Sequence, residues 1–173
     1  LETGVCHIYH KKFDTMSVDG ILAYIRKGTD DRIYAIAELI RRGVDLLHVY
    51  GNTKIDLFFL EKLKNIVEME SVVKAAVRDA EVLKEAKRMG FSDKFIGRLW
   101  DMTESEVSLF RKQNNIYPVY KMIDTCAAEY SAYVPYFYST YEAENESIVS
   151  DKKKIVVLGS GPIRIGQGVE FDY

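Results

Sequence analysis

The order of apolar and polar positions predicts a long helical element in the middle of the chain. No glycine or proline occurs between Asn52 and Met89. A single helix of that length would measure about 50 Å, too long for the core of a small domain. We therefore expect a break near Val77–Asp79, with Asp79 capping a second helix over Ala80–Met89 that stops at Gly90. Apolar residues recur at steps of three, four and seven, and we expect them to share one face: Phe59, Leu60, Leu63, Ile66, Val67, Val73, Val77, Ala80 and Leu83.

Two shorter amphipathic helices are predicted before this element. Ser17 caps the first, Val18–Lys27, which ends at Gly28. Asp30 and Asp31 open the second, which ends before Gly43. The first helix lies beside a non-helical tail, where its apolar stripe can stay uncovered, and we predict that this stripe mediates self-association. The stripe consists of Val18, Ile21, Leu22 and Ile25.

Further short helices are predicted on both sides of the central element. Asp45–Tyr50 is followed by a turn at Gly51–Thr53, and Asp93–Trp100 precedes a helix capped by Thr103. Apolar contacts in that last helix are assigned to Val107, Leu109 and Phe110.

The two helix pairs resemble tandem helix–turn–helix units, which makes an independent DNA-binding module the alternative function. Carboxylates open the second candidate recognition helix, at Glu104 and Glu106. Because carboxylates there would repel DNA, we favour structural packing.

The chain becomes rich in tyrosine and β-formers after Asn115. Strands are predicted at Val119–Ile123 and Val134–Tyr138. Seven of the 12 tyrosines lie in residues 115–147, but no Lys, Arg or His occurs from Met122 to Asp151. A phosphate backbone would find no cationic groove there, so we interpret the tyrosines as an interface between domains. Glu142–Asp151 is predicted to be a polar linker.

A glycine-rich loop closes the sequence after an apolar run at residues 155–158, which is typical of a buried parallel strand. Its glycines are Gly159, Gly161, Gly166 and Gly168. The loop fails as a dinucleotide fingerprint, because Arg164 occupies the position of the third glycine. A nicotinamide site is therefore disfavoured. A lone strand has no sheet to join, so we expect the chain to be a piece excised from a longer protein.

Composition limits the remaining functions. The net charge of -2 argues against a general nucleic-acid binder, and no apolar run is long enough to span a membrane. The 2 cysteines are too few for a disulfide framework, so a reducing cytoplasm is expected. Cys6, His7 and His10 can be interpreted as metal ligands, but no second Cys/His pair lies at a suitable spacing. We therefore favour a packed tail and expect no metal site.

Several segments together resemble the large chain of the carbamoyl phosphate synthetase family. They are Asp124–Glu129, Tyr138–Tyr141, Gly159–Tyr173, Thr53–Leu60, Gly90–Asp93 and Pro118–Lys121. The resemblance implies a mainly α fold: a multi-helix oligomerisation domain with a small β-rich segment, then the first strand and glycine-rich loop of an α/β pre-ATP-grasp domain. It assigns residues 1–15 to the end of a first synthetase half, 16–150 to the oligomerisation domain and linker, and 151–173 to the start of the second half.

The resemblance also implies the function of the parent enzyme. That ligase is expected to make carbamoyl phosphate from bicarbonate, glutamine-derived ammonia and two ATP, with Mg or Mn as the metal, for arginine or pyrimidine biosynthesis. Its expected partners are a small glutaminase subunit, the remaining domains of the large chain and further copies of itself, with no nucleic acid and no membrane. The chain itself is expected to carry no catalytic residue and to bind no cofactor.

For the glycine-rich loop, the resemblance implies a position on the route by which carbamate enters the second synthetase half. Arg164, Gln167 and Glu170 would line that route. An arginine can attract the carbamate anion, and a carboxylate can orient the arginine. The alternative is that Arg164 and Glu170 form an ion pair that only holds the loop closed.

Overall fold

The protein is mainly helical, as predicted. The computed structural model describes residues 5–124, 129–130 and 136–156. Within them the chain forms a single-turn 3-10 helix at Lys11–Phe13, followed by α1 (Val18–Ile25), α2 (Arg32–Arg41), α3 (Leu46–Thr53), α4 (Leu57–Ala75), α5 (Ala80–Arg88), α6 (Asp93–Trp100), α7 (Glu104–Gln113), β1 (Val119–Met122) and β2 (Phe137–Thr140).

Side-chain caps set the starts of most of these helices. The Ser17 hydroxyl accepts a hydrogen bond from the Gly20 N–H and begins α1. The predicted break in the central element is confirmed: α4 ends at Ala75, and Asp79 Oδ1 accepts from the N–H groups of Glu81 and Val82 at 2.9 and 3.0 Å to begin α5. Local chemistry therefore divides the glycine-free stretch into two helices.

The predicted turn at Gly51–Thr53 is wrong, because α3 continues through these residues. The Asn52 amide donates to the His48 carbonyl at 2.8 Å, and the Thr53 hydroxyl donates to the Val49 carbonyl at 2.9 Å. These side chains bond back to carbonyls one turn earlier in their own helix, so they do not divert the backbone into a turn. The helix ends at Thr53, and the next residue, Lys54, adopts a positive φ of 58°.

Helix α4 joins two hydrophobic cores. Its N-terminal half contributes Leu60 to the first core, beside α1, α2 and α3, and its C-terminal half contributes Val73 to the second, beside α5 and α6. The indole N–H of Trp100 donates to the Val73 carbonyl at 2.7 Å, which fastens α6 to the end of α4. The buried residues of the first core are Phe13, Ile21, Leu22, Ile25, Tyr34, Ala35, Ile36, Leu39, Val49 and Leu60. Those of the second are Met69, Val73, Leu83, Ala86, Phe91, Phe95, Ile96, Trp100, Val107 and Ile116.

A two-stranded antiparallel sheet follows the helices. β1 pairs with β2 in a register that sets Val119 opposite Thr140 and Met122 opposite Phe137. β2 extends to Thr140, beyond the predicted end at Tyr138. On the other edge of β1, the Met122 N–H donates to Glu146 Oε2 at 2.6 Å. The acidic segment after β2 therefore covers an edge of β1 that would otherwise be open.

The predicted strand at residues 155–158 is not formed where the structure describes it. Ile155 and Val156 are 91% and 81% exposed and belong to no strand. A strand needs a neighbouring strand to pair its backbone groups, and the described residues provide none at this point. Residues 157 and 158 lie outside the described residues.

Candidate functional site

The predicted interface stripe on α1 is largely buried inside the chain. Ile21 and Ile25 are fully buried and Leu22 is 6% exposed, while Val18 retains 36% exposure. Helices α2 and α3 pack against α1 and enclose these side chains in the first core. The prediction that this stripe stays uncovered is therefore wrong for three of its four residues. Sequence periodicity identified an apolar face but not which neighbouring helix covers it.

An apolar groove lies instead between α2 and α4. Its volume is about 310 Å³, and its walls are almost entirely apolar. Two cations, Arg32 and Lys62, stand among the lining residues. We call it the α2–α4 groove, and it is lined by Arg32, Ile33, Ile36, Ile55, Phe59, Lys62, Leu63 and Ile66.

Two phenylalanines are exposed at the start of α4, beside this groove. Phe59 is 60% exposed and Phe58 is 56% exposed, and their rings meet edge to face at 5.4 Å. The Asp56 carboxylate accepts from the Phe58 N–H at 2.8 Å and fixes the first turn that carries them. Sequence analysis placed Phe59 on the core face. The signal that it missed is the run of four apolar residues at 57–60, which one face of a helix cannot hold.

A partly buried ion pair joins the two cores. Arg41 on α2 donates from Nε and Nη2 to the two carboxylate oxygens of Glu70 on α4, both at 2.7 Å. His7 Nε2 lies 3.0 Å from Glu70 Oε1, and the His7 ring stacks on Phe95 with centroids 3.9 Å apart. Arg41 Nη2 also donates to the Ile8 carbonyl at 2.9 Å. The N-terminal tail is thereby held against both cores.

The charges of this pair stabilise each other. Burial alone would raise the pKa of Glu70, but hydrogen bonds from Arg41 and His7 outweigh it and lower that pKa. Burial alone would lower the pKa of Arg41, but the hydrogen bonds and negative charge of Glu70 outweigh it and raise that pKa. A bidentate, charge-assisted pair of this kind fixes position more than it adds net stability. We therefore interpret it as the contact that sets α2 against α4.

The three tail residues that were weighed as metal ligands have separate contacts. Cys6 Sγ lies 3.7 Å from the Ser92 hydroxyl, and His7 contacts Glu70. His10 Nδ1 accepts a hydrogen bond from the Lys12 N–H at 3.0 Å. Across the stretches that the structure describes, no three His, Cys, Asp or Glu side chains are grouped to hold a metal ion.

The start of α7 has the chemistry of a helix cap. The Thr103 N–H and hydroxyl both donate to Glu106 Oε2 at 2.7 Å, which completes a capping box. Hydrogen bonds from the Thr103 hydroxyl and N–H lower the pKa of Glu106. Glu104 lies in the same first turn. The carboxylates that a recognition helix would direct at DNA therefore serve to begin the helix.

The predicted residues of the carbamate route lie outside the described residues. They are Arg164, Gln167 and Glu170, together with the loop glycines Gly159, Gly161, Gly166 and Gly168.

No helix in the described part of the chain is both long and apolar enough to cross a membrane.

Two family models match this chain. Residues 1–115 match the model described as carbamoyl-phosphate synthetase large chain, oligomerisation domain. Residues 151–173 match the model described as carbamoyl phosphate synthase preATP-grasp domain. The first match includes the seven α-helices of the described residues, the α2–α4 groove and the Arg41–Glu70 pair.

Proposed function

The chain belongs to the carbamoyl-phosphate synthetase large chain family, and on that premise we propose that two copies associate through the α2–α4 groove. The chain contains a region that matches the oligomerisation domain of that large chain, residues 1–115, and a segment that matches its preATP-grasp domain, residues 151–173. An oligomerisation domain implies self-association. The observation that carries the proposal is the exposure of Phe59 at the edge of a groove with almost entirely apolar walls. Such a surface is unfavourable in water and is hidden by association.

The other exposed apolar surfaces fit this role less well. The aromatic side chains of the two-stranded sheet, including Tyr120 and Phe137, lie after residue 115, where the match to the oligomerisation model ends. Leu109 on α7 is 57% exposed, but the residues around it are mostly polar. Three of the four residues of the α1 stripe are buried. The α2–α4 groove combines an apolar surface with a position inside the matched region.

The charges on the groove predict how association responds to salt. In an isologous pairing the same surface meets itself, which brings Arg32 and Lys62 of each copy near the same cations of the other. Salt screens that repulsion without weakening apolar contacts. We therefore expect association to be as strong or stronger at high salt.

Sedimentation velocity of the 173-residue chain over a wide range of concentrations tests the proposal. We expect a concentration-dependent shift from monomer to a larger species that persists at high salt. A chain that stays monomeric at every concentration would contradict self-association itself. Association that salt disrupts would contradict the groove as the surface, because it would indicate an ionic interface.

These domains place the chain in a ligase family. We infer that the chain contributes no catalytic side chain of its own and that MgATP is used by other parts of the large chain. The described residues offer no cluster suited to a metal ion, so we derive no step through MgATP. ATP hydrolysis by the pure chain, dependent on bicarbonate, would overturn this inference. Synthesis of carbamoyl phosphate for arginine or pyrimidine pathways, a glutaminase partner and a cytoplasmic location remain proposals for the parent enzyme.

We also keep two proposals that rest on the family resemblance. The first is that Arg164 and Glu170, with Gln167 nearby, line the passage of carbamate into the second synthetase half. The second is the division of the chain into residues 1–15, 16–150 and 151–173. The start of the preATP-grasp match at residue 151 supports the last boundary.

A further inference from the structure

A second cavity, separate from the α2–α4 groove, lies where α4 and α6 meet the N-terminal tail. Its volume is about 650 Å³, within the range of sites that bind small molecules. It shares no lining residue with the groove. We call it the α4–α6 cavity, and it is lined by Tyr9, Ile40, Arg41, Lys64, Val67, Glu68, Glu70, Ser71, Lys74, Phe95, Arg98 and Leu99.

The cavity carries a local excess of positive charge. Its lining holds four cationic side chains and two carboxylates, whereas the chain as a whole has a net charge of -2. Arg41 takes both oxygens of Glu70, and Lys64 Nζ lies 3.5 Å from Glu68 Oε1. The two remaining cations are on different helices.

Those two cations are Lys74 on α4 and Arg98 on α6. Within the stretches that the structure describes, no carboxylate oxygen lies within 4.0 Å of a side-chain nitrogen of either residue. Ser71 lies one helical turn before Lys74, on the same side of α4, and its hydroxyl can add a neutral donor. Two unpaired cations and a hydroxyl at one opening favour an anion with several oxygen atoms.

The lining also includes an apolar part. Val67 and Phe95 are buried core side chains that reach the cavity, and Leu99 lies beside them. Tyr9 adds an aromatic wall, and its hydroxyl proton is donated to Asp14 at 2.5 Å. A molecule that fits this cavity therefore has a charged end and an apolar or aromatic body.

We propose that the α4–α6 cavity binds a small phosphomonoester, with its phosphate between Lys74 and Arg98 and its organic part against Phe95 and Leu99. A phosphate dianion matches the two unpaired charges, and the planar guanidinium of Arg98 can donate two hydrogen bonds to it. Inorganic phosphate lacks the apolar body and an alcohol lacks the charge, so each is expected to bind more weakly than the ester.

Phenyl phosphate is the probe. Inorganic phosphate and phenol are the comparison ligands, because each carries only one of its two parts. Calorimetric titration of the 173-residue chain is expected to give saturable binding of phenyl phosphate, at least about tenfold tighter than either half, because the ester uses both the charged and the apolar parts of the site. Salt near physiological strength screens charges farther than about 8 Å and limits non-specific attraction.

Matched charge changes on α6 decide whether Arg98 is a ligand. Arg98→Gln and Lys74→Gln are each expected to weaken phenyl phosphate binding about tenfold, since each removes one direct charge-assisted contact. Lys94→Gln is the control, because Lys94 is exposed on the same helix and does not line the cavity. It removes the same charge and should change binding by less than about threefold.

Three results would overturn the proposal. They are no saturable binding of phenyl phosphate, binding of phenol as tight as that of the ester, or an equal loss of phenyl phosphate affinity in Lys94→Gln and Arg98→Gln. The melting temperature of each variant checks that it is folded. If Arg98→Gln does not fold, Lys74→Gln tests the phosphate contact in its place. This inference does not depend on self-association. Binding should persist in a variant that disrupts the α2–α4 groove.

Discussion

Phe59 offers a direct test of the α2–α4 groove as the self-association surface. Its ring lines the groove and is 60% exposed in the single chain. Replacing Phe59 with glutamate removes the apolar contact and introduces a charge that a partner would have to bury. Because most of the side chain faces water, the substitution should leave the chain folded.

The size of the effect follows from the exposed area. Fully burying a phenylalanine contributes about 1.5–3 kcal/mol, so covering the exposed part of Phe59 contributes about 1–2 kcal/mol. A symmetric dimer contains this contact twice, which gives about 2–4 kcal/mol, or about a 30- to 900-fold change in the dissociation constant. An unpaired carboxylate at the interface increases the loss further.

The assay is sedimentation velocity of Phe59→Glu beside the unchanged chain, at matched concentrations. Leu109→Glu is the control, because Leu109 is exposed to a similar extent, at 57%, but lies on α7 outside the groove. We expect Phe59→Glu to be monomeric where the unchanged chain and Leu109→Glu associate. Circular dichroism verifies that all three proteins are folded.

The reasoning fails if Phe59→Glu stays folded and associates as tightly as the unchanged chain. It also fails if Leu109→Glu weakens association as much as Phe59→Glu, because added negative charge alone would then explain both results.

Three further changes test other parts of the molecule. Leu22→Glu is expected to lower the free energy of unfolding by about 3–5 kcal/mol in urea denaturation, because Leu22 is 6% exposed in the first core; unchanged stability would contradict that placement. The Tyr24 hydroxyl and Lys12 lower the pKa of Asp31 from 3.8 to about 2, so Asp31 stabilises the fold fully above about pH 4 and loses that contribution as the pH falls towards 2. The stability difference between the unchanged chain and Asp31→Asn should shrink over that range, and a pH-independent difference would be inconsistent with it. Arg164→Ala in the complete enzyme should impair carbamoyl phosphate synthesis more than bicarbonate-dependent ATP hydrolysis; equal losses with a lower melting temperature would favour the structural ion pair.

Helix boundaries could be predicted well because their causes lie within a few residues. Ser17, Asp79 and Thr103 were identified as caps from sequence, and each accepts the expected backbone hydrogen bonds. The end of α3 was missed because Asn52 and Thr53, which usually favour turns, here bond back to carbonyls of their own helix.

Contacts between distant residues could not be predicted in the same way. Glu70 contacts Arg41 and His7, which are 29 and 63 residues away in sequence. Whether an apolar stripe is covered is also decided by distant elements, as with Leu22 on α1, which α2 and α3 enclose. A single sequence contains no signal for such pairings beyond the residue types themselves, so the exposure of the α1 stripe was predicted wrongly for three of its four residues.

The first turn of α4 illustrates why a single apolar stripe was a poor description of the central element. Successive helical residues point about 100° apart, so four consecutive apolar side chains must face different directions. Leu60 is buried in the first core, Leu57 packs at its margin, Phe59 lines the groove, and Phe58 faces water. If the first turn of α4 only supported the core, the cap at Asp56 and the buried side chain of Leu60 would suffice. More than half of each phenylalanine ring remains exposed in the single chain, which is why we assign Phe59 to contact with a second copy.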